Sequence, residues 1–300
     1  MITFRRLLLL IGALMCSVAV PSFAQSTGAT DVELRPHLAT DLDRWTPGLR
    51  YHLGRRWGAV TQTSTWFASA ATSGRLLTRP ALNTEPLTLD LSAGFTVNFV
   101  QLDDSDRLPL TLDPDTVAST ELRDYGRLDA AITAGLESNQ TFDDAQFVGG
   151  LEAGYVNITS VGLWGWVPSV VISANGVVPI EDEARHLRGG DSDPFVSLRG
   201  VATIAPRIGE FLPGRALKPL GLHVQADGHW ELGTEAPWRN AGLHTAGLVA
   251  VSLLYAVNQR VPLLDQVYAR FGYGRLPPNV VVEQTWAIGL VLHPGQSARR

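Results

Sequence analysis

Hydrophobic and polar residues alternate one for one along the segment Leu220–Leu232. The seven positions of one parity hold Leu, Val, Ala, Gly and Trp, and the six positions between them hold Gly, His, Gln, Asp and Glu. Successive side chains of a β-strand point to opposite faces, so this pattern predicts a long strand with one apolar face and one ionisable face. A helix would not separate the two sets of residues.

The same period of two residues recurs along the chain, most clearly in residues 87–99 and 285–292. Each segment is about ten residues long or slightly longer, which is the length that a tilted strand needs to cross the hydrocarbon of a bilayer. The pattern therefore predicts an all-β protein with antiparallel strands. Weaker examples of the alternation occupy residues 128–137, 147–156, 196–204, 243–257 and 267–273.

Connectors rich in Pro, Gly, Asn and Asp separate these segments and predict turns. They give a count of ten to twelve strands, and twelve is preferred because single-chain bacterial barrels have even strand numbers. Residues 49–67 fit either one long strand or two strands joined near residues 56–58. Residues 101–125 form an unusually long connector on the same count. The other predicted connectors are residues 42–47, 72–86, 138–145, 181–194, 233–240 and 276–279.

The first 24 residues have the pattern of a secretory signal peptide. Arg5 and Arg6 precede the apolar residues 7–15, and Ser22-Phe23-Ala24 supplies small residues at a cleavage site before Gln25. The apolar part is too short to span a bilayer. We therefore expect a signal peptide over residues 1–24 and one domain over residues 25–300.

Charge and cysteine content argue against nucleic-acid binding and against cysteine chemistry. The whole chain has a net charge of −5, and the predicted signal contains two arginines and no acidic residue, so residues 25–300 carry about seven more acidic than basic groups. This balance argues against nucleic-acid binding, which needs basic patches. The only cysteine, Cys16, lies inside the predicted signal, so no disulfide or thiolate chemistry is expected in the mature chain.

Aromatic residues near the ends of the predicted strands match an interfacial girdle in a membrane. Capping of the core of a soluble β-sandwich is the alternative explanation, because alternation alone does not show which face is outside. The residues concerned are Trp57, Trp66, Tyr155, Trp164, Trp166, Trp230, Tyr255, Tyr273 and Trp286.

With these features the chain resembles a bacterial outer-membrane β-barrel protein. The resemblance covers nearly all of residues 25–300 and is one of class, not of a named porin, transporter or enzyme family. It implies an antiparallel transmembrane barrel in the outer membrane, in contact with lipid and with the barrel assembly machinery. The last predicted strand, residues 283–292, is similar to the C-terminal assembly signal of such proteins, but it lacks a terminal Phe and residues 293–300 follow it.

A barrel of this kind would carry the polar strand faces towards its lumen. We therefore predict a lumen lining of His223, Gln225, Asp227, His229, Glu231, Arg199, Asp90 and Arg270. Both charge signs are present, which fits either mutual neutralisation in a plugged or narrow lumen or a charge-selective constriction. Further lumen candidates are Glu33, Arg35, His37, Arg50, His52, Arg127, Asp129, Glu137, Glu152, Arg207 and His244.

No metal site, cofactor or catalytic residue is predicted. Three ligands from one strand, such as His223, Asp227 and His229, would not converge on zinc, whose ligands lie about 2 Å away in a tetrahedral array. No Gly-x-Ser-x-Gly motif is present. A triad assembled across strands from Ser197 and His223 or His229 would be the basis of an outer-membrane lipid hydrolase.

The expected function is a passive pore for small solutes or ions, or a structural barrel of the cell envelope. The first alternative is the lipid hydrolase, and the second is a soluble secreted β-barrel that binds a ligand. The sequence favours a role without catalysis.

Overall fold

The computed structural model describes residues 29–40, 44–60, 64–80, 83, 85–100, 125–157, 165–187, 193–257, 264–279 and 282–292. Twelve antiparallel strands form one closed barrel within these residues. They are β1 (Ala29–Thr40), β2 (Trp45–Val60), β3 (Ser64–Leu77), β4 (Leu87–Val100), β5 (Tyr125–Ser138), β6 (Asp144–Asn157), β7 (Ser169–Asp182), β8 (Phe195–Ile204), β9 (Leu220–Leu232), β10 (Thr245–Ala256), β11 (Leu264–Gly274) and β12 (Glu283–Leu292).

The barrel closes where β1 pairs with β12, for example at His37 opposite Gly289 and Thr40 opposite Trp286. Each of the other strands pairs with its two neighbours in sequence. The prediction of an antiparallel barrel of twelve strands is therefore confirmed. Antiparallel order also places the β1–β2, β3–β4, β5–β6, β7–β8, β9–β10 and β11–β12 connections at one end, here called the distal end, opposite the end where β1 begins.

Short helices occur only in the connections of the described chain. They are α1 (Glu183–His186) and α2 (Ala236–Asn240), with two 3-10 helices at Ile208–Phe211 and Arg215–Leu217. None of the described helices is long and apolar enough to cross a bilayer.

The wall is polar inside and apolar outside. On β9, Asp227 is 4 % exposed, whereas its neighbour Trp230 is 56 % exposed. Ile132 on β5 and Leu151 on β6 are paired on the outer face and are 67 % and 63 % exposed. A soluble protein would hide such side chains from water. The arrangement is that of the bacterial outer-membrane β-barrels, whose apolar outer face lies against lipid, and it disfavours the soluble alternative.

Several predicted boundaries were wrong. β3 extends to Leu77, so the predicted connector of residues 72–86 begins too early. Its Thr and Ser side chains suggested a turn, but Thr72 donates a hydrogen bond to the Thr88 carbonyl at 2.8 Å and so joins β3 to β4. Residues 49–67 form parts of two strands that end and begin at residues 60 and 64. β2 likewise begins at Trp45, inside the predicted connector of residues 42–47.

The predicted signal peptide and residues 101–124 lie outside the described residues, as do residues 293–300 beyond the last strand.

Two inward-facing glycines allow neighbouring strands to approach closely. A Cβ atom at Gly94 would lie 2.0 Å from the Ala130 carbonyl oxygen, and one at Gly150 would lie 2.1 Å from the Ala174 carbonyl oxygen. Real Cβ contacts are never this short, so any side chain at these positions would move the backbone of the wall. Gly150 also leaves room for the Asn175 amide, whose Oδ1 would be 2.5 Å from a Cβ atom there.

The orientation of the wall is tested by two substitutions one residue apart near the middle of β5. We expect Ile132→Arg to lower the unfolding free energy by about 2–4 kcal/mol, because it places a charge in the lipid. Thr133→Arg is the matched control, since its side chain enters the lumen on the opposite face. Urea unfolding of both variants in lipid vesicles measures the difference, and equal losses would contradict the orientation.

Candidate functional site

The lumen of the barrel is the candidate functional site. The eight residues first predicted to line the lumen all lie on strands and share the inward face. The register shows this directly, since Arg199 is opposite His229, and Ser252 lies between His223 and Arg270 in one row across β9, β10 and β11. The inward residues of β9 are His223, Gln225, Asp227, His229 and Glu231, and Arg199 on β8, Asp90 on β4 and Arg270 on β11 join them.

Two further lumen candidates lie outside the strands. Arg207 immediately precedes the 3-10 helix in the β8–β9 connection, and His244 lies just before β10 begins. Arg207 follows the end of β8 at Ile204, whereas the His244 carbonyl still accepts a hydrogen bond from the Glu231 amide of β9 at 2.8 Å.

Arg199 and Asp227 form a bidentate ion pair across β8 and β9. The Arg199 Nε and Nη2 atoms donate to the two Asp227 carboxylate oxygens at 3.0 and 2.6 Å. The Asp227 side chain is fully buried by this contact. Glu137 on β5 approaches the same guanidinium at 3.7 Å and accepts a hydrogen bond from Gln146. Arg199 is therefore already neutralised by its neighbours.

Glu231, at the distal end of β9, forms hydrogen bonds with two of the connections. Its Oε2 atom accepts hydrogen bonds from Trp238 of α2 at 2.8 Å and from Arg185 of α1 at 3.2 Å. Arg185 is 4 % exposed. It also donates to Asp182 and lies between the rings of Phe195 and Trp238, with distances of 4.7 and 4.3 Å to their centroids. The β7–β8 and β9–β10 connections are therefore anchored at the barrel mouth.

Three arginines converge on Glu85, a residue of the β3–β4 connection that reaches into the lumen. Arg50 of β2 donates a hydrogen bond to the Glu85 carboxylate. Arg75 of β3 and Arg270 of β11 each approach its Oε1 atom at 3.6 Å. We call these four residues the arginine cluster. His37 lies beside it and accepts a hydrogen bond from Arg75 at 3.3 Å.

Glu85 lies outside the membrane-spanning strands, and its ionisation follows from its neighbours. Burial alone would raise the pKa of its carboxyl, but the charges of Arg50, Arg270 and Arg75 outweigh burial and lower the pKa from 4.5 to about 2. Glu85 is therefore ionised at all ordinary pH values, and its charge holds the connection inside the barrel.

The opposite part of the lumen is acidic. A cavity of about 460 Å³ is bordered there by Asp90, Glu137, Glu152, Arg199, Asn175 and His229, and we call it the acidic cavity. It lies against the inner faces of β3 to β9, while Leu276 and Pro277 of the β11–β12 connection close it on one side. Acidic side chains therefore outnumber basic ones at this cavity, whereas basic side chains outnumber acidic ones in the arginine cluster.

The predicted histidines do not meet at a reactive centre. Among the described residues, no hydrogen bond joins Ser197 to His223 or His229, and no group of three His, Asp or Glu side chains is arranged to hold a metal ion. His229 approaches Glu231, with Nε2 3.8 Å from Oε1. The described lumen therefore gives no support to a hydrolase triad built on Ser197.

Sequence reasoning missed the residues that join the connections to the wall. Arg75 of β3 falls in a segment that we predicted to be a connector. Glu85 and Trp238 lie in connections, where charged and aromatic residues follow no regular alternation. Arg185 lies in the acidic segment of residues 181–194, which we predicted to be a connector. No local signal shows that a connection folds inward, because its partners come from strands that are distant in sequence.

Comparison with known proteins assigns no family to this chain. No family model matches the sequence, and no curated protein matches it significantly. Among solved structures, the NanC porin matches with a TM-score of 0.43 and 10 % identity, over 87 % of this chain and 98 % of that chain.

Two other outer-membrane proteins are similar at the same level. The outer membrane phospholipase (OMPLA) of Salmonella typhi, a dimer with bound calcium, gives a TM-score of 0.40 at 11 % identity, over 91 % of this chain and 93 % of that chain. OprD of Pseudomonas aeruginosa gives 0.33 at 9 % identity, over 89 % and 95 %. The similarity concerns barrel architecture alone.

The role of Glu85 predicts a pH dependence. A depressed pKa in the folded state stabilises the protein above the ordinary pKa of 4.5, and this stabilisation is lost as the pH falls towards about 2. We expect the wild-type protein to be more stable than Glu85→Gln above pH 4.5, and the difference to shrink between these two values. Urea unfolding in micelles across this range measures it; a difference that does not change with pH would contradict the assignment.

The Arg199–Asp227 pair predicts a second stability effect. Asp227→Asn leaves the Arg199 charge without its bidentate partner, and we expect the unfolding free energy to fall by about 3 kcal/mol. The double variant Arg199→Gln/Asp227→Asn should recover part of this loss, because it removes both charges. Asp143→Asn in the exposed β5–β6 connection is the matched control. A single variant as stable as this control would show that the pair contributes nothing.

Proposed function

We propose that the protein is a narrow, water-filled pore of the bacterial outer membrane, selective by charge. The observation that carries this proposal is the segregation of charged side chains on the inner wall. The arginine cluster occupies the β2, β3 and β11 side, and the acidic cavity occupies the side of β4, β5 and β6. Oppositely charged walls create a field across a lumen that acts on any ion that enters.

Unpaired carboxylates in the lumen support hydration. Asp90 and Glu152 are exposed and form no ion pair within the described part of the chain. An isolated charge is costly in a dry interior. These two side chains are consistent with a lumen that admits water, at least next to the acidic cavity.

The connections at the distal end support a narrow bore. Glu85 occupies the basic side, Leu276 and Pro277 border the acidic side, and α1 and α2 are anchored at Glu231. The pore would therefore pass small solutes or ions and exclude large ones. A structural barrel with a closed lumen is the outcome to expect if no current flows.

Export and insertion form part of the same proposal. Residues 1–24 would direct secretion and be removed, and the outer-membrane assembly machinery would insert the mature chain. Outer-membrane lipid would then cover the apolar residues of the outer face, including Ile132 and Leu151.

The experiment is conductance of the mature chain, residues 25–300, refolded and inserted into planar bilayers. We expect discrete current steps, and we expect Asp90→Asn/Glu152→Gln to shift the reversal potential in a salt gradient towards anions. Asp143→Asn, outside the lumen, should leave the reversal potential unchanged. Inserted protein that carries no current would overturn the pore, and an unchanged reversal potential in the double variant would remove the acidic wall from the ion path.

A further inference from the structure

The acidic cavity has an excess of negative charge that the protein does not neutralise. Asp90, Glu137 and Glu152 face one guanidinium, that of Arg199. That guanidinium is held by Asp227 in a bidentate pair, with Glu137 at 3.7 Å. Of the carboxylates that line this cavity, Asp90 and Glu152 form no ion pair with any described residue, and both are exposed to the lumen. A ligand with a positive charge would supply the missing partner.

Buried polar atoms at the same cavity also lack partners. Asn175 is 8 % exposed, and its Nδ2 atom donates to Ser173 at 3.0 Å, but its Oδ1 atom accepts no hydrogen bond. His229 is 9 % exposed, and its buried Nε2 atom forms no hydrogen bond, although it lies 3.8 Å from the Glu231 Oε1 atom. A buried acceptor without a donor destabilises the protein. Both side chains line the acidic cavity.

The shape and chemistry of the cavity favour an organic cation over a metal ion. The described carboxylates and imidazoles do not form a group that could hold a metal. The volume of about 460 Å³ is in the range of small-molecule pockets. Serine and threonine hydroxyls line it beside the carboxylates, among them Ser92, Thr133 and Ser197, and hydroxyls pair with hydroxyls as donor or acceptor.

We infer that the acidic cavity is a binding site for a small organic cation that carries an ammonium group and several hydroxyl groups. Its ammonium group would donate to the carboxylates of Asp90 and Glu152, and its hydroxyl groups would bond the serine and threonine side chains. Asn175 and His229 would each gain a partner. The inference deepens the proposed pore and rests on it for its biological meaning, because the site would lie on the path of the solute.

The test compares two sugars that differ in one group. Protonated glucosamine and uncharged glucose have the same ring, so calorimetric titration of the refolded mature protein in detergent isolates the ammonium group. Titration at low ionic strength keeps charge screening weak. We expect glucosamine to bind and glucose to bind at least tenfold more weakly. Asp90→Asn and Glu152→Gln should each weaken glucosamine binding by roughly tenfold, as loss of one charge-assisted hydrogen bond implies.

The control variant is Asp31→Asn, which removes a carboxylate of β1 that is 65 % exposed and far from the acidic cavity in the strand order. It should bind glucosamine as the wild-type protein does. Equal binding of both sugars, no binding of glucosamine, or unchanged binding by both cavity variants would overturn the inference. Unfolding free energies of the same samples identify a variant that has failed to fold. In that case glucosamine binding by the other cavity variant tests the inference.

The two proposals fail separately. Titration in detergent needs no ion flow, so binding of glucosamine without conductance supports the site and overturns the pore. Conductance without binding overturns the site and leaves the pore.

Discussion

Closure of the hydrogen-bonded wall is the constraint on which the rest of the structure depends. In hydrocarbon no water is available to an unpaired peptide group, so a sheet that crosses the membrane must have no free edge. The pairing of β1 with β12 closes the sheet into a barrel and so meets this requirement. Once the wall is closed, alternate side chains must enter a common interior, and charged residues on different strands become neighbours.

The charges inside the barrel follow from that geometry. A strand contributes one inward side chain for every two residues, so contacts such as Arg199 with Asp227 form across adjacent strands. The arginine cluster is different, because Arg270 belongs to β11 while Arg50 and Arg75 belong to β2 and β3. Glu85 brings them together from a connection. The wall positions the arginines, and the connection supplies the charge that lets three of them lie side by side.

The strands of the wall could be predicted because the alternation of apolar and polar residues is a local pattern within each strand. The alternation in Leu220–Leu232 survives unchanged in β9, and the strand count follows from repeated segments of the same kind. Prediction failed where polar residues such as Thr72 and Ser73 resemble a turn but pair with Thr88 of the next strand. It failed again for Arg75, Glu85 and Trp238, whose partners lie elsewhere in the chain. Inward folding of a connection depends on tertiary contacts that have no period in sequence.

Because Glu85 lies in a connection, the circumference of the barrel and the charge of its lumen depend on different parts of the chain. Strand pairing sets the circumference and holds it fixed, since a change there would break backbone hydrogen bonds. The charge balance on the basic side depends instead on Glu85, which reaches the arginines from the β3–β4 connection through one carboxylate. In the proposed pore, substitution of Glu85 would change the charge inside the lumen on this side while the twelve-stranded wall stays intact.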